Sequence, residues 1–146
     1  MGSQLRIAAL VAATAIACGG SPTAPDPTID ELRSAPLVVT IDGTGIELRA
    51  SLWRDFMPFV PPGGAPLQVA VRLSSTTTTV TIDRLWVLFG AETWDVTPER
   101  SSDSWVARGG PQWMPGSRVD VVPRLRSADG RSRLVRAADQ PINATF

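Results

Sequence analysis

Four acidic side chains lie close together in the sequence and are the residues best suited to catalysis. The four are Glu92, Asp95, Glu99 and Asp103. Glycoside hydrolysis requires a pair of carboxylates, one acting as an acid and the other as a base or nucleophile. No spacing among the four marks such a pair, and no acidic loop of the EF-hand type occurs. We therefore predict no catalytic residues, no metal ligands and no cofactor.

The composition removes most other enzyme mechanisms. The chain has no His, no Lys and no Tyr, and all 14 of its basic side chains are Arg. Without His there is no imidazole base and no His-ligated zinc, and without Lys there is no Schiff base. Basic and acidic side chains balance at 14 each, so no overall field attracts nucleic acid. We expect a protein that is not an enzyme, with a carboxylate-only hydrolase as the remaining catalytic alternative.

The densest aromatic cluster covers residues 53–59 and runs into a Pro- and Gly-rich loop over residues 60–66. Aromatic side chains beside Arg are typical of recognition surfaces. The structural alternative is that these side chains cap one end of a β-structure, with the indole lying against Arg stems. The predicted interaction surface consists of Trp53, Arg54, Phe56, Met57 and Phe59.

Tryptophan is frequent for a chain of this length, with five residues in all. Trp94, Trp105 and Trp113 lie in a polar, turn-rich region. Exposed indoles on a β-structure can stack on sugar rings, so these three residues are a candidate aromatic platform for a glycan. The alternative is that each indole fills a gap between sheet and loop, with its N–H satisfied locally.

Cys18 is the only cysteine and follows a short apolar segment that begins after Arg6. A positive residue, an apolar stretch and small residues before the cleavage point are typical of a secretory signal, here residues 1–17. The stretch is shorter than the ~20 apolar residues of a membrane-spanning helix. A solitary cysteine cannot form an internal disulfide bond.

Residues Ala15-Ile16-Ala17-Cys18 resemble the lipobox of bacterial lipoproteins. The resemblance implies that Cys18 carries a lipid anchor, such as palmitate, and becomes the N-terminus after cleavage. Gly at position 19 implies, by the same resemblance, transport to the outer membrane. Residues 18–35 would then form a flexible linker. The alternative is ordinary signal removal after Ala17, which would release the protein.

From residue 36 onwards the sequence has a β-type pattern. Apolar and polar residues alternate over residues 46–56 and 67–73, as in half-buried strands. The alternation changes phase at Asp83-Arg84, which predicts either a β-bulge or a strand buried on both faces around Trp86. Asp129-Gly130 predicts a hairpin turn. Upstream, the spacing of Thr28 and Glu31 predicts one capped helical turn.

Seven to nine short strands at this spacing predict an all-β domain over residues 36–146, built as a two-sheet antiparallel β-sandwich. In size and rhythm the segment resembles immunoglobulin-like and fibronectin type III-like domains. It lacks the paired cysteines and the tyrosine corner of immunoglobulin domains. A small β-barrel is the alternative.

The sequence therefore predicts a cell-envelope lipoprotein that is anchored to the outer membrane and faces the periplasm or the surface. Its expected role is that of a non-catalytic binding or structural module. The expected partners are the membrane, through Cys18, and an envelope protein or a glycan, but not nucleic acid. A glycan-binding module is the first alternative, and the hydrolase is the second.

Overall fold

The computed structural model describes residues 25–75 and 79–146. The expected signal peptide, Cys18 and the first part of the linker lie outside the described residues. Helix α1 spans Ile29–Arg33, and ten strands follow within the described part of the chain. The strands are β1 Val38–Ile41, β2 Thr44–Asp55, β3 Leu67–Leu73, β4 Thr81–Phe89, β5 Glu92–Val96, β6 Glu99–Ser101, β7 Ser104–Gly110, β8 Arg118–Arg126, β9 Ser132–Leu134 and β10 Ala137–Thr145. Over residues 25–75 and 79–146, no helix has the length and apolar character needed to cross a membrane.

The strands form one open mixed sheet, which confirms the all-β class. Their order is β5-β4-β8-β10-β2-β3-β7-β6, with β1 added to β2 and β9 added to β8. The structure differs from the expected two antiparallel sheets at β10. This strand pairs with β8 up to Pro141 and with β2 from Ile142 onwards, and the pairing with β2 is parallel. Proline has no N–H to donate to a ladder, so Pro141 suits the point at which β10 changes partner.

Both halves of the sheet contribute side chains to a single core. Leu52 of β2 and Val69 of β3 are fully buried in the same cluster as Leu85 of β4 and Val121 of β8. The alternation of side chains along each strand supplies these residues. The cluster therefore joins strands that lie far apart in the order of the sheet.

Strand β4 contains the expected irregularity. Its register against β8 shifts between Ile82 and Arg84, so the phase change in the sequence marks a bulge. Beyond the bulge both faces of β4 are buried. Leu85 lies in the main core, and Trp86 lies in a second cluster on the opposite face. The sequence offered a bulge and two-sided burial as alternatives, and both occur.

Helix α1 covers the outer face of β4 and β8. Leu32 and Ala35 are buried in the second cluster together with Trp86, Leu88 and Val122. The sequence predicts a flexible linker up to residue 35. The structure instead includes the helix and the residues that follow it in the packed fold.

Two short-range signals are confirmed at the chain's turns. The Thr28 hydroxyl accepts from the Glu31 backbone N–H, and the Glu31 carboxylate accepts from the Thr28 backbone N–H, which completes a capping box on α1. Asp129-Gly130 lies in the turn between β8 and β9, where the Gly130 N–H donates to the Ser127 carbonyl at 3.0 Å. Gly130 has a φ of +79° there, a conformation that glycine adopts readily.

Candidate binding surface at one end of the sheet

The predicted interaction residues lie at the end of β2 and in the β2–β3 loop, residues 56–66. Phe59 is fully exposed, at 100% of its accessible surface, and Met57 is also exposed. Trp53 and Phe56 are half-buried. Of the five predicted side chains, Phe59 is therefore fully exposed and Met57 is about half exposed.

Arg54 is not available to a partner, and its prediction as a surface residue is wrong. The side chain is 1% exposed. Its Nε donates to the Ala65 carbonyl at 2.9 Å, and its Nη2 donates to the Gly63 carbonyl at 2.6 Å. Its Nη1 donates to the carbonyls of Gln112 and Trp113 at 3.2 and 3.1 Å.

The four hydrogen bonds explain why an Arg is buried here. Buried carbonyl groups require donors, and a guanidinium group carries five N–H donors in a fixed plane. Two of the carbonyls belong to the β2–β3 loop and two belong to the β7–β8 loop, residues 111–117. Arg54 therefore fixes the two loops to each other.

The Phe56 ring packs against the Arg54 guanidinium group. The ring centroid is 5.1 Å from the Arg54 guanidinium carbon. A Cβ at Gly64 would lie only 2.5 Å from the Phe56 ring, and Gly64 has a φ of +85°. Both facts require glycine at this position. The loop is thus held in one conformation by its own packing.

The last residues of β10 complete this end of the sheet. The Phe56 N–H donates to the Thr145 carbonyl at 2.8 Å, and the rings of Phe56 and Phe146 are 5.9 Å apart. Phe146 is exposed, and so is Met114 in the β7–β8 loop. Three chain segments therefore present large apolar side chains at one end. We call the exposed side chains of Met57, Phe59, Met114 and Phe146 the apolar end.

The segments that carry the apolar end contain no charged side chains. Residues 56–71, 109–117 and 140–146 include no Asp, Glu, Lys or Arg, although 19% of the whole chain is charged. The acid next to the first segment, Asp55, accepts hydrogen bonds from Thr145 and Gln68. The three segments that carry the apolar end are therefore themselves uncharged.

The aromatic platform predicted for a glycan is not formed. Trp105 and Trp113 are buried, at 6% and 8% exposure, so their prediction as exposed sugar-stacking residues is wrong. The Trp113 ring is 5.3 Å from that of Phe89, and its Nε1–H donates to the Glu92 carboxylate. Trp94 is half-buried. These indoles fill the gap between the β5 and β7 sides of the sheet, as the structural alternative proposed.

Three of the four clustered acids have structural partners. Glu92 accepts from Trp113, and Asp95 binds Arg84 through two hydrogen bonds of 2.6 and 2.8 Å. Asp103 forms an ion pair with Arg72 at 3.3 Å. In the part of the chain that the structure describes, no three His, Cys, Asp or Glu side chains group as a metal site would require.

The best-developed ion pairs lie on β4 and β8, away from the apolar end. The Asp83 carboxylate accepts from Arg124 Nε at 2.8 Å and from Arg126 Nε at 3.0 Å. Partial burial acts to raise the pKa of Asp83, but the hydrogen bonds and charges of the two guanidinium groups outweigh it and hold the pKa below 3.8. The Arg124 guanidinium also lies over the Trp86 ring. The arrangement stabilises the bulged strand.

Two residues of the apolar end, Met114 and Phe146, were not predicted from the sequence. Each lies in a segment distant in sequence from the cluster at residues 53–59, so aromatic density along the chain could not find them. The shared signal was the absence of charge over residues 109–117 and 140–146.

Comparisons with known proteins give no relative. No protein-family model matches the chain, and neither a curated protein nor a solved structure matches it. Function has to be argued from the geometry and chemistry of the surface itself, since a fold class alone does not define an activity.

Proposed function

We propose that the protein is a non-catalytic binding module of the cell envelope, held at the outer membrane by a lipid on Cys18 and bound to its partner through the apolar end. The observation that carries the binding role is the fully exposed Phe59 among three other exposed apolar side chains. Contiguous exposed apolar side chains mark contact sites in soluble proteins.

The rigidity of the apolar end supports this role. Arg54 joins the two loops through four backbone carbonyls, and the β2–β3 loop contains Pro58, Pro61, Pro62 and Pro66. Proline fixes φ and reduces the freedom that a loop loses on binding. A surface ordered before contact binds with a smaller entropy cost.

The two alternative functions have lost their support. A glycan platform needs exposed indoles, and Trp105 and Trp113 are buried. A carboxylate-only hydrolase needs carboxylates that can reach a substrate. Glu92 and Asp95 bind Trp113 and Arg84, and nothing in their geometry favours catalysis over the binding role.

The anchor is tested by replacing Cys18. In the native chain we expect the protein in the membrane fraction, with a diacyl or triacyl modification seen in its intact mass. Cys18→Ser should abolish the modification, whereas Ser21→Ala, a change in the same linker, should retain it. An unmodified native chain would contradict the proposed anchor.

The binding surface is tested by placing a photo-crosslinking amino acid in cells at position 59 and, as a matched control, at position 37. Phe59 and Leu37 are both exposed apolar residues, but Leu37 lies just before β1, outside the apolar end. We expect adducts of defined mass from position 59 and none from position 37. Equal yields, or none from position 59, would refute the proposed surface.

A further inference from the structure

We propose that the partner of the apolar end is the lipid bilayer itself, so that the domain contacts the membrane at a second point besides its anchor. This inference rests on the proposed function, because the lipid on Cys18 is what brings the apolar end close enough to touch the bilayer. The side chains inserted into the bilayer interface would be those of Met57, Phe59, Met114 and Phe146.

The absence of charge favours a bilayer. A charged side chain is costly to place in the hydrocarbon region, whereas Phe, Leu and Trp are the residues that interfacial segments bury there. The segments 56–71, 109–117 and 140–146 satisfy this requirement together, although they are separate in the sequence. The only buried charge near these loops, Arg54, is enclosed by four carbonyls.

The apolar end is large enough for a contact with the bilayer. A large apolar side chain exposes on the order of 150–200 Å² when fully accessible, so the four side chains at their observed exposures offer roughly 500 Å². A small apolar surface is sufficient for a domain that a lipid anchor already holds nearby, because anchoring raises its effective concentration at the bilayer.

The anchor can bring the apolar end to the bilayer. The described chain begins at Pro25, which borders a surface hollow with Leu134. Leu134 pairs with Arg124, and Arg124 pairs with Arg84 on β4. From Arg84 to Phe89 the strand rises about 17 Å, and the Phe89 ring contacts Trp113 of the loop that carries Met114.

The chain between Cys18 and Pro25 is long enough for this distance. Six residues lie between the two positions, and the seven residue-to-residue steps of an extended chain span about 23 Å. The lipid on Cys18 and the apolar end can therefore meet the same membrane plane.

The experiment measures how strongly brominated lipid quenches the emission of an indole placed in the apolar end. The full chain is reconstituted in phosphatidylcholine vesicles whose acyl chains carry bromine, which quenches tryptophan on contact. Phe59→Trp and Leu37→Trp each add one indole to the same five native tryptophans, so the difference from the parent chain isolates the new one. Both replaced side chains are exposed, so the fold should tolerate each change.

We expect the emission of the indole introduced by Phe59→Trp to fall at least twofold relative to unbrominated vesicles. The emission of the indole introduced by Leu37→Trp should stay within about a tenth of its starting value. Equal quenching at the two positions, or none at position 59, would overturn the inference. Failure of the anchor is read separately, from the mass of the native chain, so the two proposals can fail independently.

Discussion

Arg54 shows how a single residue organises the binding surface. It is the only charged or polar side chain that is buried within residues 25–75 and 79–146. The alternation along β2 places Arg54 on the same inward side as Leu48 and Leu52. The sequence contained that signal, but the charge of the side chain favoured a surface assignment. The correct assignment requires the four carbonyls, which come from loops distant in sequence and cannot be read from the pattern.

Replacing Arg54 should destabilise the protein strongly. We expect Arg54→Ala to lower the free energy of unfolding by about 3–5 kcal/mol, because the change leaves a cavity and four carbonyls, one buried and three part-buried, lose a donor at once. Arg54→Lys should recover only part of the loss, since an ammonium group lacks the planar fork. Arg49→Ala, an exposed Arg of the same strand, is the control and should change the value by less than about 0.5 kcal/mol. Urea denaturation measures all three, and equal effects at positions 54 and 49 would contradict the role of Arg54.

Asp83 should make stability depend on pH. Its pKa in the folded protein is lowered, so its contribution is present above about pH 4 and is lost as the pH falls through the folded-state value. We expect Asp83→Asn to cost about 1 kcal/mol at pH 7, a modest value because the pairs are partly exposed. The difference from the parent should shrink when the measurement is repeated at an acidic pH, below the ordinary Asp pKa of about 3.9.

The control for Asp83 is Asp103→Asn, which removes an exposed ion pair with Arg72. Exposed pairs contribute little, so this change should cost less than about 0.5 kcal/mol at pH 7. Denaturant titrations at the two pH values provide the comparison. A cost of Asp83→Asn that does not decline in acid would refute the assigned role of the carboxylate.

Among the strands, a side-chain contact joins β5 and β7, which lie near opposite ends of the open sheet. Trp94 of β5 lies over Gly110 of β7, where an added Cβ would be 2.7 Å from the indole ring. Trp113 fills the same region beside Phe89. The sequence predicted the strands but not this contact, because the two glycines at 109–110 read equally well as a turn. Two of the indoles predicted to bind sugar, Trp94 and Trp113, therefore pack between strands instead.

Gly110→Ala should therefore disturb the contact between Trp94 and β7. We expect a loss of about 1–3 kcal/mol of stability, the usual cost of overpacking. In a double-mutant cycle, Gly110→Ala should cost much less stability when Trp94 has already been replaced by Ala. Gly45→Ala is the matched control, because its Cβ would meet Val38 at an ordinary 3.6 Å. Thermal unfolding distinguishes them, and identical midpoints for the two alanine variants would contradict the close approach of Trp94.

Helix α1 provides a second test at this scale. Leu32 is buried against Trp86 and Val122, whereas Ile29 is exposed. We expect Leu32→Ala to cost about 2–4 kcal/mol, as for other buried leucines, and Ile29→Ala to cost less than about 1 kcal/mol. Denaturation followed by Trp emission measures both. A negligible effect of Leu32→Ala would mean that residues 29–35 belong to the linker, as the sequence first suggested.

For the whole molecule, local signals predicted local structure and failed at long range. The bulge at Asp83-Arg84, the capping box at Thr28 and the turn at Gly130 each depend on a few adjacent residues, and each is confirmed. The parallel pairing of β10 with β2 joins residues about ninety positions apart. No local pattern encodes such a partner, so the all-β class could be predicted from the sequence but the parallel pairing could not.

The apolar end is likewise a property of the whole molecule. Its side chains come from three segments that only the folded sheet brings together. Together with an anchor on Cys18, it would fix both the distance and the orientation of the domain at the membrane. We therefore expect this end, and no other face, to be covered in the membrane-held protein.

Amide hydrogen exchange of the membrane-held native chain, compared with the Cys18→Ser chain in solution, tests this expectation most directly. We expect slower exchange of the membrane-held chain over residues 56–65 and 112–117. Exchange should be unchanged in the turn at residues 127–131, which connects β8 and β9 away from the apolar end. Equal exchange of the two forms at the apolar end, or protection of the 127–131 turn instead, would contradict it.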